Sequence, residues 1–128
     1  KSKSKKLLEH FTTSVVGHHN LISKIINYYL RKKKDGKILT ILSKGIVNEN
    51  KPSKYMGPYL VSKSALKKML QIIKVENNWI KIKFFYPGFT NTKMLKSLDK
   101  DYKKVIKKNE KIFSPQKVSK IIINKFLA

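Results

Sequence analysis

The sequence has no cysteine, a single arginine, only seven acidic residues and no long apolar run. Without cysteine, neither a disulfide framework nor a thiolate metal site is available. The adjacent His18 and His19 point in different directions on a helix, so we expect no metal site. No apolar stretch approaches the length that spans a bilayer, and the lysine-rich start Lys1 to Lys6 is not followed by a secretory core. We therefore expect a cytoplasmic protein without a membrane partner.

Charge is present in excess: the formal net charge is +23 over 128 residues. Such a charge indicates attraction to nucleic acid or another polyanion. The basic residues are nearly all lysine, Arg31 being the exception, and they are spread from Lys1 to Lys125. Lysine is a hydrated point charge that lacks the bidentate contacts favoured in base recognition. We expect salt-dependent, nonspecific polyanion binding without a specific nucleic-acid partner, and keep a non-catalytic basic polyanion-binding protein as an alternative.

The apolar pattern predicts one domain with alternating helices and strands. The aliphatic run before Ser43 and the aromatic run before Pro87 each indicate a strand, and the helix between them implies a right-handed crossover and a parallel sheet. Gly17, central in the first helix, is expected to permit close packing. The predicted elements are a helix from Leu7 to Leu30, a basic turn from Arg31 to Gly36, a strand from Ile38 to Leu42, a loop from Lys44 to Pro58, a helix from about Tyr59, a strand from Trp79 to Tyr86, and helices near Ser97 to Lys108 and Ser114 to Leu127.

Tyr59 and Lys63 are the residues most indicative of chemistry. A spacing of four places both side chains on one helix face, where the ammonium is expected to lower the pKa of the phenol. A phenol needs that help, because its unperturbed pKa near 10 is too high for acid/base work near neutrality. In a parallel sheet the carboxyl ends of the strands meet at one edge, so we expect Ser43 and the segment after Tyr86 to lie near Tyr59.

These motifs together resemble the short-chain dehydrogenase/reductase family. Its strand-end serine, Y-x-x-x-K helix and P-G-x-x-x-T loop occur here in the same order, as Ser43, Tyr59 to Lys63 and Pro87 to Thr92, and the similarity extends from about Thr13 onward. The resemblance implies an α/β fold of partial Rossmann-like (doubly wound) type, with helix-strand-helix-strand order, parallel strands and C-terminal helices. It also implies hydride transfer between NAD or NADP and a small-molecule alcohol or carbonyl substrate.

The resemblance implies a role for each motif residue. Tyr59 exchanges a proton with the substrate oxygen, Ser43 hydrogen bonds that oxygen, and Lys63 assists Tyr59 and binds the nicotinamide ribose. Thr92, with the backbone around Pro87 and Gly88, contacts the nicotinamide end of the cofactor. A sugar-nucleotide epimerase or dehydratase relative shares the serine, tyrosine and lysine and stays an alternative. The lysines between Phe89 and Asn109, the expected substrate-side wall, either serve a phosphorylated substrate or decorate the surface.

Two departures from the family pattern bear on the expectation. Ser14 stands where the family usually has asparagine, and no Gly-x-Gly pattern precedes Leu7 to supply the glycine-rich phosphate loop. We therefore hypothesise that residues 1–128 form a single partial domain, the C-terminal half of such a Rossmann domain, truncated or split, and leave open whether it is active or inactive alone. The sheet edge and helix faces left without partners predict a homo-oligomer or a complementing chain.

Overall fold

The computed structural model describes residues 3–32 and 35–127. The lysine-rich start of the sequence and the predicted basic turn from Arg31 to Gly36 therefore lie partly outside the described residues. The first helical segment is nearly continuous: α1 (Lys3–Phe11), a π-helical turn (Thr12–Val16) and α2 (Gly17–Lys32). The π-helical turn buries Ser14 and contacts the Tyr59 helix. The expected packing role of Gly17 is wrong, because Gly17 is exposed and an added Cβ would lie 3.5 Å from the Thr12 carbonyl oxygen.

Two parallel strands form the sheet of the described chain, β1 (Gly36–Ile41) and β2 (Ile80–Phe85). The register pairs Gly36 with Ile80 and Ile41 with Phe85. Backbone pairing continues past both strand ends, since the Leu42 amide donates to the Phe85 carbonyl at 2.8 Å and the Lys44 amide donates to the Pro87 carbonyl at 2.9 Å. This extension holds the chain around Ser43 beside Pro87.

The crossover helix α3 (Gly57–Glu76) begins two residues before Tyr59, with Pro58 in its first turn, where the missing amide donor costs nothing. Its inner face carries Leu66 and Leu70, both 0% exposed. They join a core with residues of both strands and of the neighbouring helices. Burying each such leucine is worth about 1.5–3 kcal/mol. This burial fixes the rotation of α3 about its axis and therefore the direction in which Tyr59 and Lys63 project.

The chain after β2 forms three helices, α4 (Lys93–Lys96), α5 (Lys100–Asn109) and α6 (Pro115–Ile122), followed by a π-helical turn (Ile123–Leu127). The predicted helices near Ser97 to Lys108 and Ser114 to Leu127 are confirmed, whereas α4 was not predicted. Asp99 and Ser114 cap α5 and α6 by accepting bonds from backbone amides. Thr90, before α4, and Phe113, after α5, form a parallel bridge. The chain between them, which contains α4 and α5, therefore leaves and returns at the same place, and we call it the α4–α5 excursion.

The helix-strand-helix-strand order with a parallel sheet confirms the expected α/β class and gives a partial Rossmann-like fold. The loop expected from Lys44 to Pro58 is largely confirmed, although it opens with a 3₁₀ turn (Lys44–Ile46) and ends where α3 begins at Gly57. In the described ranges, 3–32 and 35–127, every helix is too short or too polar to span a bilayer.

Candidate active site

A cavity of about 590 Å³ opens at the carboxyl ends of the two strands. All six predicted site residues contribute to its lining, namely Ser43, Tyr59, Lys63, Pro87, Gly88 and Thr92. Their convergence confirms the expected placement at one sheet edge. Their chemical roles remain predictions.

Ser43 sits where β1 gives way to the 3₁₀ turn, with extended backbone angles of φ −152° and ψ 139°. Its Oγ accepts a hydrogen bond from the Gly45 amide at 3.2 Å, which leaves the hydroxyl proton for another acceptor. The turn is tight: a Cβ on Gly45 would lie 2.8 Å from Leu60 Cδ2 and 3.2 Å from Ser53 Oγ. Glycine at position 45 therefore allows the strand end that presents Ser43 to approach the first turns of α3.

Tyr59 is half-buried beneath this turn. Burial raises the pKa of the Tyr59 phenol above 10.0, and a hydrogen bond with the Ser43 side chain acts in the opposite direction. The ring of His10, from α1, meets the Tyr59 ring edge-on with centroids 5.8 Å apart. The fully buried Ser62 donates from its Oγ to the Tyr59 carbonyl at 2.7 Å. Contacts from several elements therefore hold the phenol at the cavity wall.

Lys63 lies one turn further along α3, with its Nζ 5.6 Å from the Tyr59 ring centroid. The ammonium donates to the Ile41 carbonyl oxygen at 3.2 Å, and burial lowers the pKa of Lys63. The net direction of the Tyr59 pKa is the opposite of the one expected, because burial raises that pKa, and the interaction that opposes burial comes from Ser43. For this half-buried phenol, desolvation of the charged form outweighs the interaction that favours it.

Residues of the segment from Pro87 to Thr92 form another part of the cavity wall. Thr92 precedes α4 without a capping bond from its side chain, so its hydroxyl is not committed to the helix end. At Gly88 an added Cβ would meet Lys44 Cδ only at 3.8 Å, an ordinary contact, so glycine there is not demanded by protein packing. The absence of a side chain leaves the backbone open to close approach from the cavity.

Hydroxyl and ammonium donors around this wall fit a nicotinamide ribose, which presents hydroxyls and an amide. The pyrophosphate of a dinucleotide has no comparable match, because the five glycines of the chain contain no Gly-x-Gly pattern. The residues therefore suit the nicotinamide end of NAD or NADP and not its phosphates.

Several other cavity residues are not among the predicted site residues. Met56 precedes α3, while Met94, Leu95 and Leu98 come from α4 and the turn after it, and all four line the cavity. His10 was likewise missed, because its contact with Tyr59 joins two distant parts of the chain. The apolar spacing of Met94, Leu95 and Leu98 was the one available signal, and lysines on every side obscured it.

A family model described as short chain dehydrogenase matches residues 1–103, a span that includes all the predicted site residues. No curated protein matches the chain, and no solved structure matches it.

Proposed function

Because the chain belongs to the short-chain dehydrogenase family, we propose that it is an NAD(P)-dependent oxidoreductase acting on an alcohol or a carbonyl compound. The observation that carries the proposal is the meeting of Ser43, Tyr59 and Lys63 at the wall of one cavity, with the Lys63 Nζ 5.6 Å from the Tyr59 ring centroid. A second hydroxyl beside a phenol provides the two contacts that one substrate oxygen requires.

Ser43, Tyr59 and Lys63 each have a separate role toward the substrate oxygen. Ser43 donates a hydrogen bond to it, which holds the substrate and stabilises the negative charge that develops during reduction. Tyr59 then transfers its proton to the same oxygen and is left as a tyrosinate; in alcohol oxidation the tyrosinate takes the proton back. Lys63 stabilises the tyrosinate through its positive charge. NAD or NADP supplies or accepts the hydride when bound, and Lys63, Thr92, Pro87 and Gly88 would hold its nicotinamide ribose end.

The test uses two hydride donors, NADH and reduced nicotinamide mononucleotide, with a panel of alkyl and aryl ketones. Because the residues fit only the nicotinamide end, we expect similar affinities for the two donors, and turnover with both at saturating concentration. Tyr59→Phe removes the transferable proton and should abolish turnover. Tyr86→Phe is the matched control, since Tyr86 lies outside the cavity lining and keeps its ring contact with Lys67. Turnover by Tyr59→Phe at the wild-type rate would refute the proposal.

The domain assignment, partners and location extend this proposal. We propose that residues 1–128 are a partial Rossmann-like domain with the catalytic residues, cytoplasmic, and that it forms a homo-oligomer or pairs with a complementing chain. Exposed apolar side chains on α3 support association, notably Ile72 at 51% and Val75 at 83% exposure. Sedimentation velocity tests this point: a monomer at all concentrations would exclude the homo-oligomer.

A further inference from the structure

The α4–α5 excursion separates its apolar residues from its lysines. Met94, Leu95 and Leu98 line the cavity. The same stretch from Phe89 to Asn109 has seven lysines, and not one of them belongs to the lining. These lysines therefore lie on the outer surface. Of the two interpretations of the sequence, a site for a phosphorylated substrate or surface charge, the structure favours surface charge.

Two of the three lysines that line the cavity have contacts of their own. Lys63 donates to the Ile41 carbonyl, and the Lys111 ammonium lies 5.5 Å from the Phe113 ring centroid, with the carboxyl residue Glu110 also in the lining. A phosphate group needs several converging donors, because a partly paired charge beside apolar walls costs free energy. Lys44 alone does not supply such a set.

The lining includes further apolar side chains, namely Met56, Phe113 and Val118, in addition to Met94 and Leu95. Two of the wall residues are methionines, whose flexible thioethers adapt to apolar ligands of varied shape. A sugar or a phosphorylated compound would have to place unpaired hydroxyls or charges against this wall.

We propose that the substrate is an alcohol or ketone whose reacting carbon bears an extended apolar group, which lies between Met56 and the Met94–Leu98 wall while its oxygen meets Ser43 and Tyr59. This inference rests on the proposed function for the chemistry of the oxygen. The apolar wall by itself predicts that each methylene added to the ligand tightens binding about fourfold until the cavity is filled.

The three methionines of the chain provide the test. Met56 and Met94 line the cavity, whereas Met69 packs against the core from α3 and serves as an internal control. Methyl-¹³C-methionine protein is titrated with 2-alkanones from butanone to undecanone and with dihydroxyacetone phosphate. We expect saturable shifts of the Met56 and Met94 signals with the alkanones, an unchanged Met69 signal, and about fourfold tighter binding per methylene. Leu95→Asn should flatten this dependence, and Val105→Asn, on the exposed face of α5, should preserve it.

Each remaining outcome decides between the two proposals. Equal binding of dihydroxyacetone phosphate and long alkanones, binding independent of chain length, or equal shifts at all three methionines would overturn the apolar substrate class. Reduction of small polar ketones by the wild-type chain without such chain-length dependence would overturn the substrate class and leave the oxidoreductase function standing. Chain-length-dependent binding with no turnover of any ketone at saturating donor would overturn the oxidoreductase function and leave the apolar ligand site.

Discussion

The Lys63 ammonium donates a hydrogen bond to the Ile41 carbonyl oxygen at 3.2 Å, which ties α3 to the last residue of β1. Two residues further on, Ser43 lines the same cavity as Tyr59 of that helix. The bond from Lys63 therefore joins the helix to the strand end close to both side chains. This link holds the first turns of α3, which carry the phenol, beside the strand end that carries the serine hydroxyl.

Replacing Lys63 by methionine tests the energetic cost of this arrangement. Burial lowers the pKa of Lys63, so the folded state disfavours its charge. A lowered folded pKa contributes stability that is present above the usual pKa of 10.5 and lost as pH falls through the folded value. Lys63→Met should therefore stabilise the fold near pH 7, by less than about 1 kcal/mol because the group is half-exposed.

Thermal unfolding of the wild type and Lys63→Met at pH 7 and at pH 11 measures this difference, which should shrink at the higher pH. A variant less stable than the wild type at pH 7 would show that the bond to Ile41 and the contact with the Tyr59 ring outweigh the cost of burial.

Ser43→Ala should raise the pKa of Tyr59 further. Burial already raises that pKa above 10.0, and the hydrogen bond with Ser43 opposes it, so loss of the bond moves the value upward. Alcohol oxidation needs the tyrosinate, so its rate should rise about tenfold per pH unit below the Tyr59 pKa. In Ser43→Ala this rising part of the pH–rate profile should lie at higher pH.

Six tyrosines are present, so the tyrosinate absorbance of Tyr59 is obtained by subtracting the titration of Tyr59→Phe from that of the parent protein. Ser119→Ala, on the exposed side of α6, should leave the Tyr59 curve unchanged. A downward shift in Ser43→Ala would contradict the assigned direction.

Gly45→Ala and Gly57→Ala form a matched pair with opposite expected signs. A Cβ at position 45 would lie 2.8 Å from Leu60 Cδ2, a buried core side chain, so overpacking should cost about 1–3 kcal/mol. At position 57, the first residue of α3, nothing lies within 4 Å of an added Cβ. Alanine there lowers the conformational entropy of the unfolded chain and should raise the free energy of unfolding by about 0.4–1 kcal/mol. Urea unfolding measures both free energies; a neutral Gly45→Ala would mean that the turn near Ser43 relaxes freely.

The +23 charge predicts polyanion binding that is governed by salt. Affinity for duplex DNA should fall linearly with salt on a double-logarithmic plot, because counterion release drives the binding. Duplexes of different sequence should bind alike, and Tyr59→Phe should have no effect. A sequence preference that persists at high salt would instead support a nucleic-acid-binding function.

Local patterns predicted much of the frame, with shifted boundaries. The apolar runs before Ser43 and Pro87 gave both strands, because a buried strand needs a continuous apolar stretch. Helical spacing placed Tyr59 and Lys63 on one face of α3. The short α4 escaped prediction, since four residues carry too little periodicity to identify a helix. The placement of Gly17 also failed, because which side of a helix faces the core depends on neighbours that its own sequence does not name.

The sequence by itself determined the α/β order and the meeting of Ser43, Tyr59 and the Pro87–Thr92 segment, because parallel strands bring their carboxyl ends to one edge whatever the side chains are. Only the tertiary structure decided the direction of the Tyr59 pKa shift, the partner of the Lys63 ammonium and the apolar character of the cavity wall. Those properties depend on burial and on contacts between residues far apart along the chain, and a local sequence pattern predicts neither the burial nor the contacts.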